Sequence, residues 1–178
     1  NDNYARELME LFTIGEGNGY TQADVVEMAR ALTGWRASFN DCTPHYFDPT
    51  RFDNNPKTIF GVTGNFDSDA AHNLIFQERP TQVSEFITVK LYRHFVFQHT
   101  DPAIIQGLAA TFRDQNWELL PVVKQLLKSE HFFEERFLNA RIKSPMEVLI
   151  PILKMAGANS AQHVEPIWWD DVTFWMDK

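Results

Sequence analysis

The chain has 178 residues, 44% hydrophobic and 22% charged, the composition of a globular domain able to bury a core without staples. Its formal net charge of -8 argues against a nucleic-acid surface, because binding by counterion release needs clustered Lys and Arg. The single cysteine, Cys42, excludes an internal disulfide and a multi-thiolate metal site, and no stretch reaches the roughly 20 apolar residues of a membrane span.

The first segment, Asn3 to about Thr13, reads as an amphipathic helix that Gly15 stops. A helical period places Tyr4, Ala5, Leu8, Met9, Leu11 and Phe12 on one face, and Arg6, Glu10 and Thr13 on the other. Thr21 opens a second helix with Asp24 three residues on, close to a capping box, and Val25, Met28, Ala29 and Leu32 form its buried stripe. From Trp35 to Asp67 the period is lost. Pro44, Pro49 and Pro56 interrupt this stretch, and two extended runs, "HYF" and "TIFGV", are expected to pair as a small hairpin across "DPTRFDNNPK". So long an irregular loop in a compact domain is the expected seat of function.

Helices return after Asp67. Ser68 or Asp69 is the expected cap of "AAHNLIFQE", and residues 81–97 are apolar nearly all round, as in a central helix. Thr100 or Asp101 before Pro102 starts the next helix, residues 117–128 form another with Pro121 in its first turn, and "SEHFFEERF" a short one. In "SPME", Ser144 caps, Pro145 is the first helical residue and Glu147 closes the capping box. Val148, Leu149, Ile152 and Leu153 are expected to face inward, with a bend at Pro151. The fold expected is therefore all-α, about seven or eight helices, with one long loop (35–67) carrying a small β-hairpin. Residues 1–157 make the helical domain, and 158–178 a Trp-rich acidic tail.

No catalytic motif stands out. The six histidines have no metal-ligand spacing, Asp48, Asp53 and Asn55 match no calcium loop, and neither a metal nor a cofactor is called for. There is no nucleophile elbow, and Cys42 has only His45 near it in sequence. The notable set is polar residues on apolar helices. Lys90 and His94 share a face with Val83 and Ile87, and a lysine buried there needs an acid, for which Glu7 is the candidate. Such a network either ties helices together or marks a site with shifted pKa values.

The segments "NDNYARELMELFTIG" and "YTQADVVEMARALTGW" resemble the bacterial family called domain of unknown function 1800, and "KTIFG", "KLYRHFV", "LAATFRDQ", "LLKSEHFF" and "KSPMEVL" continue the likeness to about residue 157. The resemblance implies a mainly helical bacterial protein, extracytoplasmic, often encoded beside sulfatase-like proteins, and of unassigned activity. Phe52-Asp53 stands where that family usually has His-Asp, and its later Gly-Trp-rich segment is missing, which suggests a fragment.

Two functional expectations follow. In the first, the chain is a non-catalytic interaction or structural module that binds a partner protein or polymer through Trp35, Asp48, Asp53 and Lys57 on the long loop. In the second, it is a hydrolase-type enzyme whose site gathers Arg6, Glu7, Lys90, Arg93 and His94, with Asp53, between the first helix and helix 81–97.

Overall fold

The structure, a computed structural model, describes residues 2–36, 45–140 and 142–155. It divides into two compact units, Asn1–Leu138 and Asn139–Lys178. Cys42, His163 and the Trp-rich segment from 158 onward lie outside the described residues.

The first unit begins with α1 (Asp2–Glu7), which runs on as a π-helical turn, Leu8–Thr13. The wider turn shows in its hydrogen bonds: Ile14 N–H donates to Met9 O, five residues back, at 2.8 Å. The change of period corrects the expected apolar face. Ala5, Leu8 and Met9 are buried, whereas Tyr4, Leu11 and Phe12 are more than half exposed. Gly15 ends the turn at φ +97, and a Cβ there would come within 2.9 Å of the Phe86 ring, so the position needs glycine for both reasons.

Helix α2 (Gln22–Ala31) has the full capping box: Thr21 Oγ1 accepts from Asp24 N–H, and Thr21 N–H donates to Asp24 Oδ2. Val25, Met28, Ala29 and Leu32 are buried as the period requires. The extended runs do not pair with each other. Instead β1 (Trp35–Arg36) pairs antiparallel with β2 (Tyr46–Phe47), and "TIFGV" folds back on itself as β3 (Lys57–Ile59) and β4 (Val62–Gly64), turning at Phe60 and Gly61, both with positive φ. A tight turn inside the second run closes a shorter loop than a pairing across the ten residues 48–57, and loop closure favours the shorter one.

Asp67, rather than Ser68 or Asp69, caps α3 (Ser68–Glu78), accepting from Ala70 N–H at 2.9 Å. Then come α4 (Pro80–Phe95), α5 (Pro102–Asp114, capped by Asp101) and α6 (Leu119–Lys128). The segment expected as a short helix is two 3-10 turns, Glu130–Phe133 and Glu135–Phe137.

Two apolar cores result. One joins α1, the π turn, α2, β3 and α3 through Met9, Ile14, Met28, Ile59 and Ile75; the other joins α4, α5 and α6 through Tyr92, Ile105, Phe112 and Leu126. Ile87 of α4 and Trp117 pack against both, so α4 is central as its composition implies.

In the second unit α7 (Pro145–Met155) starts at the expected capping box, Ser144 N–H donating to Glu147 Oε2 at 2.8 Å. The inward stripe is not found: Val148, Leu149, Ile152 and Leu153 are exposed.

Candidate functional site

The side chains of α2 hold the second hairpin. Thr21, Asp24, Glu27, Arg30 and Thr33 recur every third residue, and all but the first reach out of the helix or its capping box. Asp24 Oδ1 accepts from Phe60 N–H (2.6 Å), and Glu27 Oε2 from Thr58 N–H (2.9 Å). Arg30 bridges Glu27 (2.8 Å) and Asp53 (2.7 Å), while Thr33 Oγ1 accepts from Asp53 N–H. The second Asp53 oxygen accepts from both nitrogens of Asn55. Arg30 and these Asn55 donors hold the Asp53 carboxyl well below the usual range, and the Thr58 amide, then Arg30, lower that of Glu27.

Beside that network Lys57 is fully buried. Its ammonium donates to Asp53 O (2.5 Å), Asn55 O (3.1 Å) and Asn65 Oδ1 (3.3 Å), using each of its three protons. Burial pushes the Lys57 pKa down, with the Asp53 carboxylate opposing. The ammonium also lies 4.7 Å from the Phe52 ring centre. From there an aromatic series continues, Phe52 to Phe47 at 5.6 Å and Phe47 to Trp35 at 5.6 Å, so the buried lysine is connected ring by ring to the surface.

At the end of that series is a cleft of about 420 Å3, inside the roughly 300–1,000 Å3 range of small-ligand sites. Tyr4, Trp35, Arg36, His45, Ser68 and His72 line it over Leu32. Trp35 is 48% exposed yet fixed. Its Nε1–H donates to Ser68 Oγ at 3.0 Å, the Phe47 ring meets it edge-on, and His45 lies 5.8 Å away. Gly34, at φ +88, makes this possible: a Cβ there would sit 2.6 Å from the Phe47 ring. His72 bonds through Nδ1 to the Ser68 carbonyl, which can only accept, so Nδ1 carries the proton. Its Nε2 has no hydrogen-bond partner among the described residues. Among those residues no Asp or Glu lines the cleft. The arrangement offers a flat apolar face, a guanidinium, two imidazoles and a hydroxyl: it can bind, and among the described residues it holds no carboxylate for acid–base work.

The residues singled out from sequence are distributed as follows. Trp35 is in the cleft. Asp48 caps the turn Pro49–Arg51, accepting from Thr50 N–H and Oγ1 and pairing with Arg51 at 3.4 Å. Asp53 and Lys57 stand behind the cleft with their polar atoms already partnered, so they position its wall and do not offer a contact surface. The second set is not brought together by its bonds. Arg6 pairs with Glu10 (3.4 Å) and Gln22 (2.6 Å), and Arg93 Nε donates to Gln98 O. Glu7, Lys90, Arg93 and His94 are all exposed. Lys90 does meet the first helix, but at the carbonyl of Leu11 instead of the Glu7 carboxylate, and with its ammonium 4.2 Å from the Phe86 ring. A π turn leaves its last carbonyls unpaired, and a lysine answers one of them. The buried lysine expected at 90 is at 57.

Sequence reasoning passed over His72 and Ser68 because their meeting with Trp35 spans more than thirty residues. It also passed over Tyr92, His131 and Glu134. Tyr92 O–H donates to His131 Nε2 (2.8 Å), and His131 Nδ1–H donates to Glu134 Oε1 (2.7 Å), whose other oxygen is 2.6 Å from Arg136. Burial raises the Tyr92 pKa, and Arg136, ahead of His131, lowers that of Glu134. This relay locks α4 to the turns after α6.

Fold and cleft together define a mainly α-helical domain that presents a cation-rimmed aromatic cleft beside two small hairpins. The chain belongs to the family described as protein of unknown function (DUF1800), whose model matches residues 1–176, past the point where the quoted motifs stop. No curated protein and no solved structure matches it. Among the described residues no helix is long and apolar enough to cross a membrane.

Proposed function

We propose that the chain is a non-catalytic binding module of an exported bacterial protein, and that it holds a partner protein or polymer against Trp35. One observation carries the reading: a half-exposed indole is fixed in place, by Ser68 at its nitrogen and Phe47 at its edge, inside an open cleft. A large ring already held in one orientation loses little freedom when a ligand stacks on it, so most of the contact energy is retained as affinity. Exposed Tyr4, Tyr46 and Phe47 extend the aromatic surface past the cleft, as suits a partner longer than a single small molecule. The export assignment rests on the family likeness alone and is tested by locating the tagged protein in cell fractions.

The binding reading is tested by screening the wild type and Trp35→Ala against arrayed polysaccharides and displayed peptides. At least one ligand class should bind the wild type and lose about tenfold or more in the variant, the scale of the roughly 2 kcal/mol a buried aromatic anchor contributes. Equal binding by a folded Trp35→Ala protein removes the cleft from the function.

A further inference from the structure

Resting on that reading of the Trp35 cleft, we infer that its ligand is an acidic polysaccharide, with one sugar ring stacked on Trp35, a ring hydroxyl donating to His72 Nε2 and the ring's anionic group held at Arg36. The argument has three parts. The first is charge. The chain carries -8 overall, yet among the described residues the Trp35 cleft is lined by Arg36, His45 and His72 and by no Asp or Glu. Asp48 and Asp67, close in sequence to the lining residues, are used as caps on Thr50 and Ala70 and do not line it. Electrostatic attraction acts over about 8 Å at physiological salt, so for a ligand inside the cleft the charge of Arg36 weighs more than charges farther off.

The second part is shape and polarity. A pyranose ring has an apolar C–H face and a rim of hydroxyls, and the cleft pairs a fixed indole with a hydroxyl (Ser68) and an unpartnered imidazole nitrogen (His72 Nε2). His72 Nε2, with Nδ1 carrying the proton, accepts from a sugar hydroxyl. A guanidinium matches a planar or tetrahedral oxyanion through paired donors. The third part is extent. Tyr46 and Phe47 are exposed next to the lining residues and offer further stacking faces, so a chain of sugars gains over a single one.

A carboxylate and a sulfate ester present the same chemistry here, and the test separates them. Affinity electrophoresis would run the full chain through gels containing dextran, dextran sulfate or polygalacturonate, at 0.15 M and at 1 M salt. The variants are Trp35→Ala, Arg36→Gln and His72→Gln; glutamine keeps a donor for the Ser68 carbonyl, and each variant's fold is checked by its thermal melt. Expected is retardation by at least one polyanion and none by dextran, about tenfold weaker in Arg36→Gln and in Trp35→Ala, and lost at 1 M salt. Which polyanion retards the chain identifies carboxylate or sulfate.

Equal retardation by dextran, abolished in Trp35→Ala but unchanged in Arg36→Gln, overturns the acidic ligand and leaves the binding module standing. Trp35-dependent binding to displayed peptides, with no polysaccharide retarding the chain, does the same in favour of a protein partner. Polyanion binding indifferent to both Trp35 and Arg36 overturns the site itself, and binding to no probe of either class overturns both readings.

Discussion

Lys57 is the sharpest test of how this fold is held. Lys57→Met keeps the length of the side chain and most of its apolar stem but removes the ammonium that joins Asp53 O, Asn55 O and Asn65 Oδ1. Two effects oppose each other. A methionine avoids the desolvation cost of a buried cation, several kcal/mol, which is why replacing buried charges by apolar groups is sometimes neutral or stabilising. Against that, two short bonds to a charged donor are lost, each worth roughly 1.5–3 kcal/mol net, and the carbonyls they served face a thioether instead. The third bond, at 3.3 Å to an exposed Asn65, is discounted.

Asn55 is exposed as well, so water can reach part of the orphaned set, and the loss settles at about 2 kcal/mol below the wild type. For a domain of this size that is a fall of about 4–8 °C in melting temperature. Thermal unfolding followed by circular dichroism, with urea midpoints as a second measure, gives the number. A Lys57→Met protein as stable as the wild type, or more so, would show that desolvation outweighs the cage and would refute the claim that this ammonium organises the loop from Asp53 to Asn65. The double variant with Asn65→Leu should be nearly as stable as Lys57→Met alone, since the partner of that amide oxygen is already gone.

The carboxyls of Asp53 and Glu27 are lowered by Arg30 and by backbone amides, so the stability they give is fully present above the unfolded carboxyl value, about pH 4, and is lost as pH falls through their folded values. Arg30→Met should therefore flatten the acid limb of a plot of urea midpoint against pH between 6 and 3, and an unchanged limb would contradict the network. Gly34→Ala forces a positive φ on a residue with a Cβ and drives that carbon into Phe47; it should cost about 1–3 kcal/mol and weaken ligand binding at Trp35, both readable from one protein preparation by melting and affinity electrophoresis. Tyr92→Phe leaves His131 without its donor in the second core and should destabilise by about 1 kcal/mol while Trp35-dependent binding stays the same; a parallel loss of binding would connect the two regions. Arg93→Ala and His94→Ala alter exposed side chains and should fall within about 0.5 kcal/mol of the wild type in urea unfolding.

Local signals in the sequence were sufficient where one element decides its own structure. The capping boxes at Thr21 and Ser144, the cap-and-proline start at Asp101, and the buried stripe of Val25, Met28, Ala29 and Leu32 each depend on residues within a turn or two of one another. They are found where the period and the caps put them. What was illegible depends on distance in sequence. A constant helical period cannot foresee that the chain widens to a π turn after Glu7, and with the wrong period Leu11 and Phe12 read as core. Nor can composition tell which lysine is buried. Lys90 lies on an apolar helix but at its solvent side, whereas Lys57 lies in a polar, proline-broken stretch and is enclosed because α2 pins the loop around it through Glu27 and Arg30. One signal was available and went unread: Thr21, Asp24, Glu27, Arg30 and Thr33, polar at every third position of a helix whose other residues are largely apolar, mark a helix with something polar to hold.

That observation also separates the opening segment and the long loop from the charged end of α4. Arg6 and Glu7 belong to a site only in the second of the two functional expectations, the hydrolase-type one. In the structure Arg6 is taken by Glu10 and Gln22, and the residue of that segment facing the cleft is Tyr4. The Glu27–Arg30–Asp53 pairs are used internally, to fix a hairpin that has too few residues to be stable alone. A two-residue pair such as β1–β2 cannot hold Trp35 by its own ladder; it is held because Gly34 lets Phe47 close in, Phe47 rests on Phe52, Phe52 rests under Lys57, and Lys57 is anchored by the loop that Arg30 secures. Rigidity at the cleft is thus imported from the first core through side chains, and a substitution at any step of that series should loosen the indole before it unfolds the domain.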